Sequence, residues 1–381
     1  MVAPEKVSAN SLETLIECFA DLPDPRIDRC KKHQLLDIVV IGLCAVICGA
    51  EGPSEMQAYG ETKKQWLKQH LDLRSGIPSH DTFGRVLSLI EPRAFERCLL
   101  NWVSKRVELS DGEVVALDGK TLRRSHNRTA EQEAIEIVSA WAVGARLTLG
   151  QRRVDQHSNE ITAVPKVLEM LNIEGCVVTV DALNCQKTIA AEIREKKADY
   201  VLALKDNHKH LREQVAEFLT TVREDRTVNL QFGTFQTVDG EHGRIETRRY
   251  WQAMAMDFLP EKAAWRDLTS VGMVEATREI NGQATTELRY YLSSLPVDVE
   301  KFAHAVRSHW GIENSCHWVL DVVFREDDCR IRVGNAAENM SALRRFALNL
   351  LRRDKSEKRG VKIKRLKAAL DDAYLLKILT S

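Results

Sequence analysis

The sequence predicts an α/β protein: a mixed-sheet domain with a β-rich insertion, preceded by an all-α N-terminal segment. Two observations predict it. Apolar residues recur at helical spacing up to about residue 105; after Ser110-Asp111-Gly112 they recur in short strand-like runs that alternate with helical stretches. Two of those runs, 113–117 and 176–180, each deliver an aspartate at their end, Asp118 and Asp181.

The elements follow in order. Residues 11–20 read as an amphipathic helix on Leu12, Leu15, Ile16 and Phe19, and Asp21-Leu22-Pro23-Asp24-Pro25 breaks it. Residues 35–49 form an apolar helix too short to span a bilayer and interrupted by Asp37, so a buried core helix is expected. Gly52-Pro53-Ser54 opens another helix, to about His70. Ser79 can cap a helix running to Ile90 with His80, Asp81, Thr82 and Arg85 at its start. Helix, glycine turn and polar-fronted helix is either a helix-turn-helix or a plain helical hairpin.

Strands are expected at 113–118, 136–143, 147–153, 176–181 and 199–204, with helices at 162–172 and 184–197. Three strands, then helix, strand, helix, strand is the order of an RNase H-like fold, whose sheet buries a sizeable core between helices. Four further strands over 228–292, with the hairpin signal Asn281-Gly282, read as an insertion lying outside the core sheet. Helices return at 297–320 and 336–353, and the chain ends in a basic stretch. The predicted division is 1–105 helical, 106–350 catalytic and 351–381 a basic tail.

Composition restricts the partners weakly. Lysine plus arginine and aspartate plus glutamate both number 55 in 381 residues, so any nucleic-acid contact rests on where charge lies. Nine cysteines without a C-x-x-C pair, Cys30, Cys98 and Cys185 among them, fit a reduced intracellular thiol set. No membrane partner is expected, and a cytoplasmic protein is.

Asp118, Asp181 and a helical Glu313 could gather three carboxylates at one sheet edge, equipment for holding divalent cations against a phosphodiester. His309, Glu313 and His317 lie four apart on one helix face, which is not the H-E-x-x-H pattern of a zinc site. The histidines are taken as phosphate contacts or as partners of the metal ligands. Lys120, Arg123 and Arg124 follow the first aspartate, and Lys205 ends the fifth strand, where they could hold DNA phosphates. Asp321, Glu326, Asp327 and Asp328 form an acidic cluster, in which Asp321, two turns beyond Glu313, is either a partner of the metal ligands or an acid on the surface. Trp310 and Trp318 read as core residues.

At these residues the chain resembles the DDE insertion-sequence transposases of the ISAs type, the H-repeat-associated branch. The resemblance is carried by Val114-Val115-Ala116-Leu117-Asp118-Gly119-Lys120, Thr179-Val180-Asp181-Ala182-Leu183-Asn184 and His309-Trp310-Gly311-Ile312-Glu313-Asn314. Tyr200 to Asn207 and Gly240 to Arg248 fit it too, and it runs from about residue 12 to about residue 350. It implies catalytic, metal-binding roles for Asp118, Asp181 and Glu313 with two Mg²⁺ or Mn²⁺ ions, and cleavage and strand transfer on DNA by a homodimer. His242, Arg244 and Arg248 in the insertion would grip an element end. Relatives often carry a Tyr-Arg-Glu-Lys signature whose places here read Val306, His309, Glu313 and His317; Arg307 is the candidate for the missing guanidinium. The competing readings are a nuclease of the same fold without strand transfer and a DNA-binding remnant without activity.

Overall fold

The computed structural model describes residues 11–126, 133–156, 158–224, 230–241, 244–257, 259 and 261–380. The helices are α1 Ser11–Phe19, α2 Leu35–Ile47, α3 Pro53–Thr62, α4 Lys64–Leu67, α5 His80–Leu89, α6 Pro92–Ser104, α7 Glu160–Glu169, α8 Lys187–Glu195, α9 Lys209–Glu224, α10 Val299–Gly311, α11 Trp318–Val322, α12 Ala336–Arg353, α13 Val361–Leu370 and α14 Asp372–Thr380. The strands are β1 Val114–Leu122, β2 Ile135–Ala142, β3 Leu147–Arg153, β4 Val177–Val180, β5 Asp199–Leu204, β6 Phe232–Glu241, β7 Arg244–Met254, β8 Ser270–Ile280 and β9 Gln283–Ser293.

All nine strands join one sheet in the order β3-β2-β1-β4-β5-β9-β8-β7-β6. β1, β4 and β5 run parallel and β2 and β3 antiparallel, which is the RNase H-like arrangement. The core strands are nearly continuous apolar runs, as expected of strands covered on both faces.

The β-rich segment does not lie outside this sheet, as the sequence reading expected. Val201 to Leu204 of β5 pairs with Tyr290 to Ser293 of β9, so the insertion extends the sheet from its fifth strand. The reason is an open edge: β5 would otherwise expose a row of unpaired backbone groups. The Asn281-Gly282 turn does form the predicted hairpin between β8 and β9, with both residues at positive φ, 51° and 77°.

The opposite edge is closed by side chains. Asn349 of α12 accepts a hydrogen bond from Thr148 N–H at 2.9 Å and donates to Thr148 C=O at 2.8 Å, and Glu96 of α6 accepts from Gln151 N–H at 2.6 Å. All three backbone groups belong to β3, whose edge would otherwise face solvent or another chain.

Helix α12 packs against α2, α5 and α6, and α14 packs against α1. It fully buries Leu348, Leu350 and Leu351, each worth roughly 1.5–3 kcal/mol of burial. The basic end of the chain is thus two docked helices rather than a free tail. Lys364 is buried and donates to Leu351 C=O at 2.9 Å and Asp354 C=O at 2.6 Å, and buried Arg365 donates to Val46 C=O at 3.0 Å. Arg344 and Arg345 are buried as well. Helix α9 went unnamed in the sequence reading, although Leu211, Val215, Phe218, Leu219 and Val222 give it an apolar face. Cys44, Cys98, Cys176, Cys185 and Cys316 are buried and take no part in a disulfide. Among the described residues, no helix is long and apolar enough to cross a membrane.

Candidate active site

Parallel pairing of β1 with β4 sets the first two acids side by side. Leu117 is in register with Val180, so Asp118 and Asp181 are the next residues on neighbouring chains. β4 stops there, but β1 continues to Leu122 because β2 goes on pairing with it, Asp118 opposite Ser139. Asp118 is therefore an interior strand residue, where the sequence placed it at a strand end.

Helix α10 crosses β1, β4 and β5, and its continuation is a π-helical turn, Ile312–His317. The N–H of Trp318 closes this wider turn on the carbonyl of Glu313. The turn brings Glu313 and His317 onto Asp118: His317 Nδ1 lies 3.5 Å from Asp118 Oδ2 and 3.6 Å from Glu313 Oε2. One ligand atom from each of Asp118, Glu313 and His317 lies within 4.8 Å of the others. Asp181 lines the same cavity, of about 230 Å³, with Thr179, Lys205, Arg289, His309 and Trp310.

The electrostatics of this cavity follow from crowding. Burial, then the charges of Glu313 and Glu160, push the Asp118 carboxyl up, to about 8. His317 beside it outweighs burial at Glu313 and holds it below the usual range. Asp118 and Glu313 are crowded together, and the opposite directions of their shifts put a shared proton on Asp118. Burial drives His309 down to about 4, and its Nδ1 lies 3.0 Å from Thr179 Oγ1. His309 is thus a neutral strut between helix and sheet. Of the two roles expected of these histidines, the structure sets both beside the carboxylates: His317, 3% exposed, lies against Asp118 and Glu313, and His309 lines the cavity with Asp181.

Other expected DNA contacts are redistributed. Lys120 is 9% exposed and paired with Asp321 at 2.7 Å and Asp327 at 3.2 Å. It cannot reach a DNA backbone, because these pairs hold it inside and also account for the acidic cluster. Arg123 pairs with Asp327 at 3.1 Å and Arg124 with Asp328 at 3.3 Å, and both keep exposed surface. Arg244, Arg248 and Arg307 do come together, in a second cavity of about 720 Å³ with Arg278 and Arg289. Arg289 and Trp310 line both cavities, so the two abut. His242 lies outside the described residues.

Trp310 and Trp318 are not core residues: they are 43% and 58% exposed. Trp310 sits in the last turn of α10 and Trp318 opens α11, on either side of the π turn. Sequence reasoning also missed Arg289, a polar position where β9 passes from its exposed to its buried half, and Glu160, which reads as an ordinary acid in the first turn of a helix.

Residues 109–350 match the family described as transposase DDE domain, and residues 16–103 the one described as DDE_Tnp_1-associated. The chain belongs to the DDE transposases. It is 40% identical over 376 residues to the putative transposase YncI of Escherichia coli O157:H7, covering 97% of this chain and 95% of that one. It is 39% identical over 373 residues to the H repeat-associated putative transposase YhhI of Escherichia coli strain K12, covering 97% and 98%. A DDE transposase acts on DNA and uses divalent metal. The donor set of the acidic cavity fits such a group, since it is chiefly carboxylate oxygen, the ligand type that hard divalent cations take.

Proposed function

We propose that this transposase cuts DNA at the ends of a bacterial insertion sequence and joins the freed 3′-OH to target DNA, using two Mg²⁺ or Mn²⁺ ions held by Asp118, Asp181 and Glu313. One observation carries the reading: three carboxylates from β1, from the end of β4 and from the π turn line one cavity, and an arginine-lined cavity abuts it.

Bound ions would supply charge neutralisation at the phosphoryl oxygens and a lowered water pKa. The chain's own residues do the rest. Lys205 and Arg289, at the wall of the acidic cavity, hold the phosphate next to the one that is cut. Arg244, Arg248, Arg278 and Arg307 carry the DNA backbone away from it. Arg123 and Arg124 contribute once phosphate displaces Asp327 and Asp328. Hydrolysis leaves a 3′-OH that attacks a target phosphodiester directly, so no covalent protein–DNA link is required. Cutting both ends together calls for two copies of the chain on DNA, in the nucleoid.

The helical segment 1–105 supplies a further DNA contact through the start of α5. Its Ser79 accepts a hydrogen bond from Thr82 N–H at 3.3 Å, and His80 and Arg85 are exposed there. We treat 106–350 as the catalytic unit and 228–292 as its DNA-gripping extension.

The test is incubation of the purified full chain with labelled duplex from its own element's ends, target plasmid and Mg²⁺. Joined products support transposition. Cut ends that never join support a nuclease instead, and binding without cutting supports an inactive remnant.

A further inference from the structure

Two residues of the strand-end motifs, Gly119 and Asn184, have no part in the site described above, and both touch Glu160. Asn184 is fully buried. Its side-chain nitrogen donates to Asp181 Oδ1 and to Glu160 Oε2, each at 2.9 Å, and its backbone N–H donates to the same Asp181 oxygen at 3.1 Å. Both side-chain amide hydrogens are therefore committed, one to each carboxylate. Asp181 Oδ1 is doubly held, which fixes the carboxylate plane and leaves Oδ2 as the oxygen outside these bonds.

Glu160 opens α7, and its place is set from the other side by Gly119. A Cβ added at Gly119 would lie 1.9 Å from Glu160 Oε1, so only glycine lets the carboxylate lie against the strand beside Asp118. An acid in the first turn of a helix ordinarily serves the helix dipole from the surface. This one is instead turned inward onto the buried amide that orients Asp181.

We infer that Glu160 is a positioning residue: by holding Asn184 it fixes the rotamer of Asp181, and thereby the affinity of the site for divalent cation. The inference rests on the proposed reading of Asp181 as a metal ligand. Partners that orient a ligand from behind typically contribute 10–100-fold to metal affinity. Gly119 and Asn184 belong to the same device, one making room for Glu160 and the other relaying its position.

Glutamine separates positioning from charge, because its carbonyl oxygen can still accept from Asn184 while its charge is gone. The experiment is Mn²⁺ titration calorimetry on the full chain and on its Glu160→Ala, Glu160→Gln and Asp181→Ala variants, with a thermal melt of each in chelator. The expected result is a roughly 10–100-fold weaker Mn²⁺ dissociation constant in Glu160→Ala. Glu160→Gln should restore affinity to within about threefold, and all melts should stay near that of the unaltered chain. Loss in both Glu160 variants would overturn the proposal, since the carboxylate would then act by charge or as a ligand itself. Unaltered affinity in Glu160→Ala beside a loss in Asp181→Ala would sink the positioning role alone. Unaltered affinity in Asp181→Ala would remove the ligand reading, and the proposal with it.

Discussion

The acidic cavity and the arginine cavity share Arg289 and Trp310 as a wall, yet they handle charge in opposite ways. Among the described residues, every arginine of the cleft except Arg307 is paired with an acid, three of them with the same one. Glu246 is paired with Arg244 at 3.4 Å, with Arg278 at 3.2 Å and with Arg248; Arg248 also meets Asp239 at 2.5 Å, and Arg289 meets Glu287 at 2.7 Å. Burial alone would push the Glu246 carboxyl up, but the arginines around it hold it below the usual range. In the acidic cavity compensation is partial: Lys205 and Arg289 stand at its wall and His317 lies beside Glu313. Lys120, the basic residue nearest Asp118 in sequence, is turned onto Asp321 and Asp327, and Asp118 keeps a proton because it is buried and its neighbours are acids. The difference teaches that, on the proposed reading, the cleft would be oriented before DNA arrives, whereas the cavity would be electrostatically incomplete until a cation enters.

The sharpest way to break the comparison is to remove the acids. Asp118→Ala, Asp181→Ala and Glu313→Gln should each lower cleavage by about 10³-fold or more, the kinetic equivalent of several kcal/mol of lost charge stabilisation. Binding to end DNA should stay within a few-fold, because the arginines lie in the other cavity. Gel-based cleavage and filter binding measure the two; full cleavage by any of the three variants would remove that residue from the site.

Next comes pH. The Asp118 carboxyl, raised to about 8, must lose its proton before a cation can use it. Apparent Mg²⁺ affinity should therefore rise by up to about tenfold per pH unit below that value and level off above it. The stability effect has the opposite sign without metal. Between the ordinary aspartate value near ~4 and about 8, the folded chain binds more protons than the unfolded one, so stability falls as pH rises through that window. Melts in chelator and in Mg²⁺ across pH 5 to 9 should diverge as pH rises; parallel curves would show that Asp118 is not the group displaced.

The cleft should respond differently, to salt rather than to metal. Arg289→Ala and Arg307→Ala should each weaken end binding uniformly across sequences and reduce the slope of log affinity against log salt by about 1, as one phosphate contact is lost. Arg123→Ala should do less, and Lys120→Met should chiefly destabilise the fold, because it strands Asp321 and Asp327. A salt slope unchanged in the Arg289 and Arg307 variants would put DNA elsewhere.

The smallest effect is expected at the far end of the insertion. Gly282→Ala places a side chain at a φ of 77° and should cost about 1 kcal/mol in the hairpin, read by denaturant melts. Cleavage of short end duplexes should be nearly unchanged, since the turn lies beyond the cavity.

Isolating residues 1–105 would not test DNA binding by the helical segment cleanly. Helix α12 packs against α2 and α5, and α14 against α1, so the fragment would lose the surfaces that bury its core. Variants of His80 and Arg85 in the full chain are the better probe.

Much of this was legible without coordinates because it depends on local pattern. Strand-type runs ending on Asp118 and Asp181, the capped helix after Ser79 and the Asn281-Gly282 turn are each written in a few adjacent residues, and each forms near where it was read. Partnership is not local. Whether Lys120 meets DNA or Asp321 depends on where a segment two hundred residues away comes to rest. Whether Trp318 is core or surface depends on a π turn before it whose hydrogen bonds no periodicity shows. Glu160 carried no signal, since a first-turn glutamate on an amphipathic helix is ordinary until Gly119 and Asn184 are found against it. The sequence by itself determined the carboxylate set and the order of the strands, because spacing along a chain fixes what one element presents. Only the tertiary structure decided which cations are committed to acids and which acids lack one, because charge pairing in a folded chain is settled by distance and burial, and neither is proportional to separation in sequence.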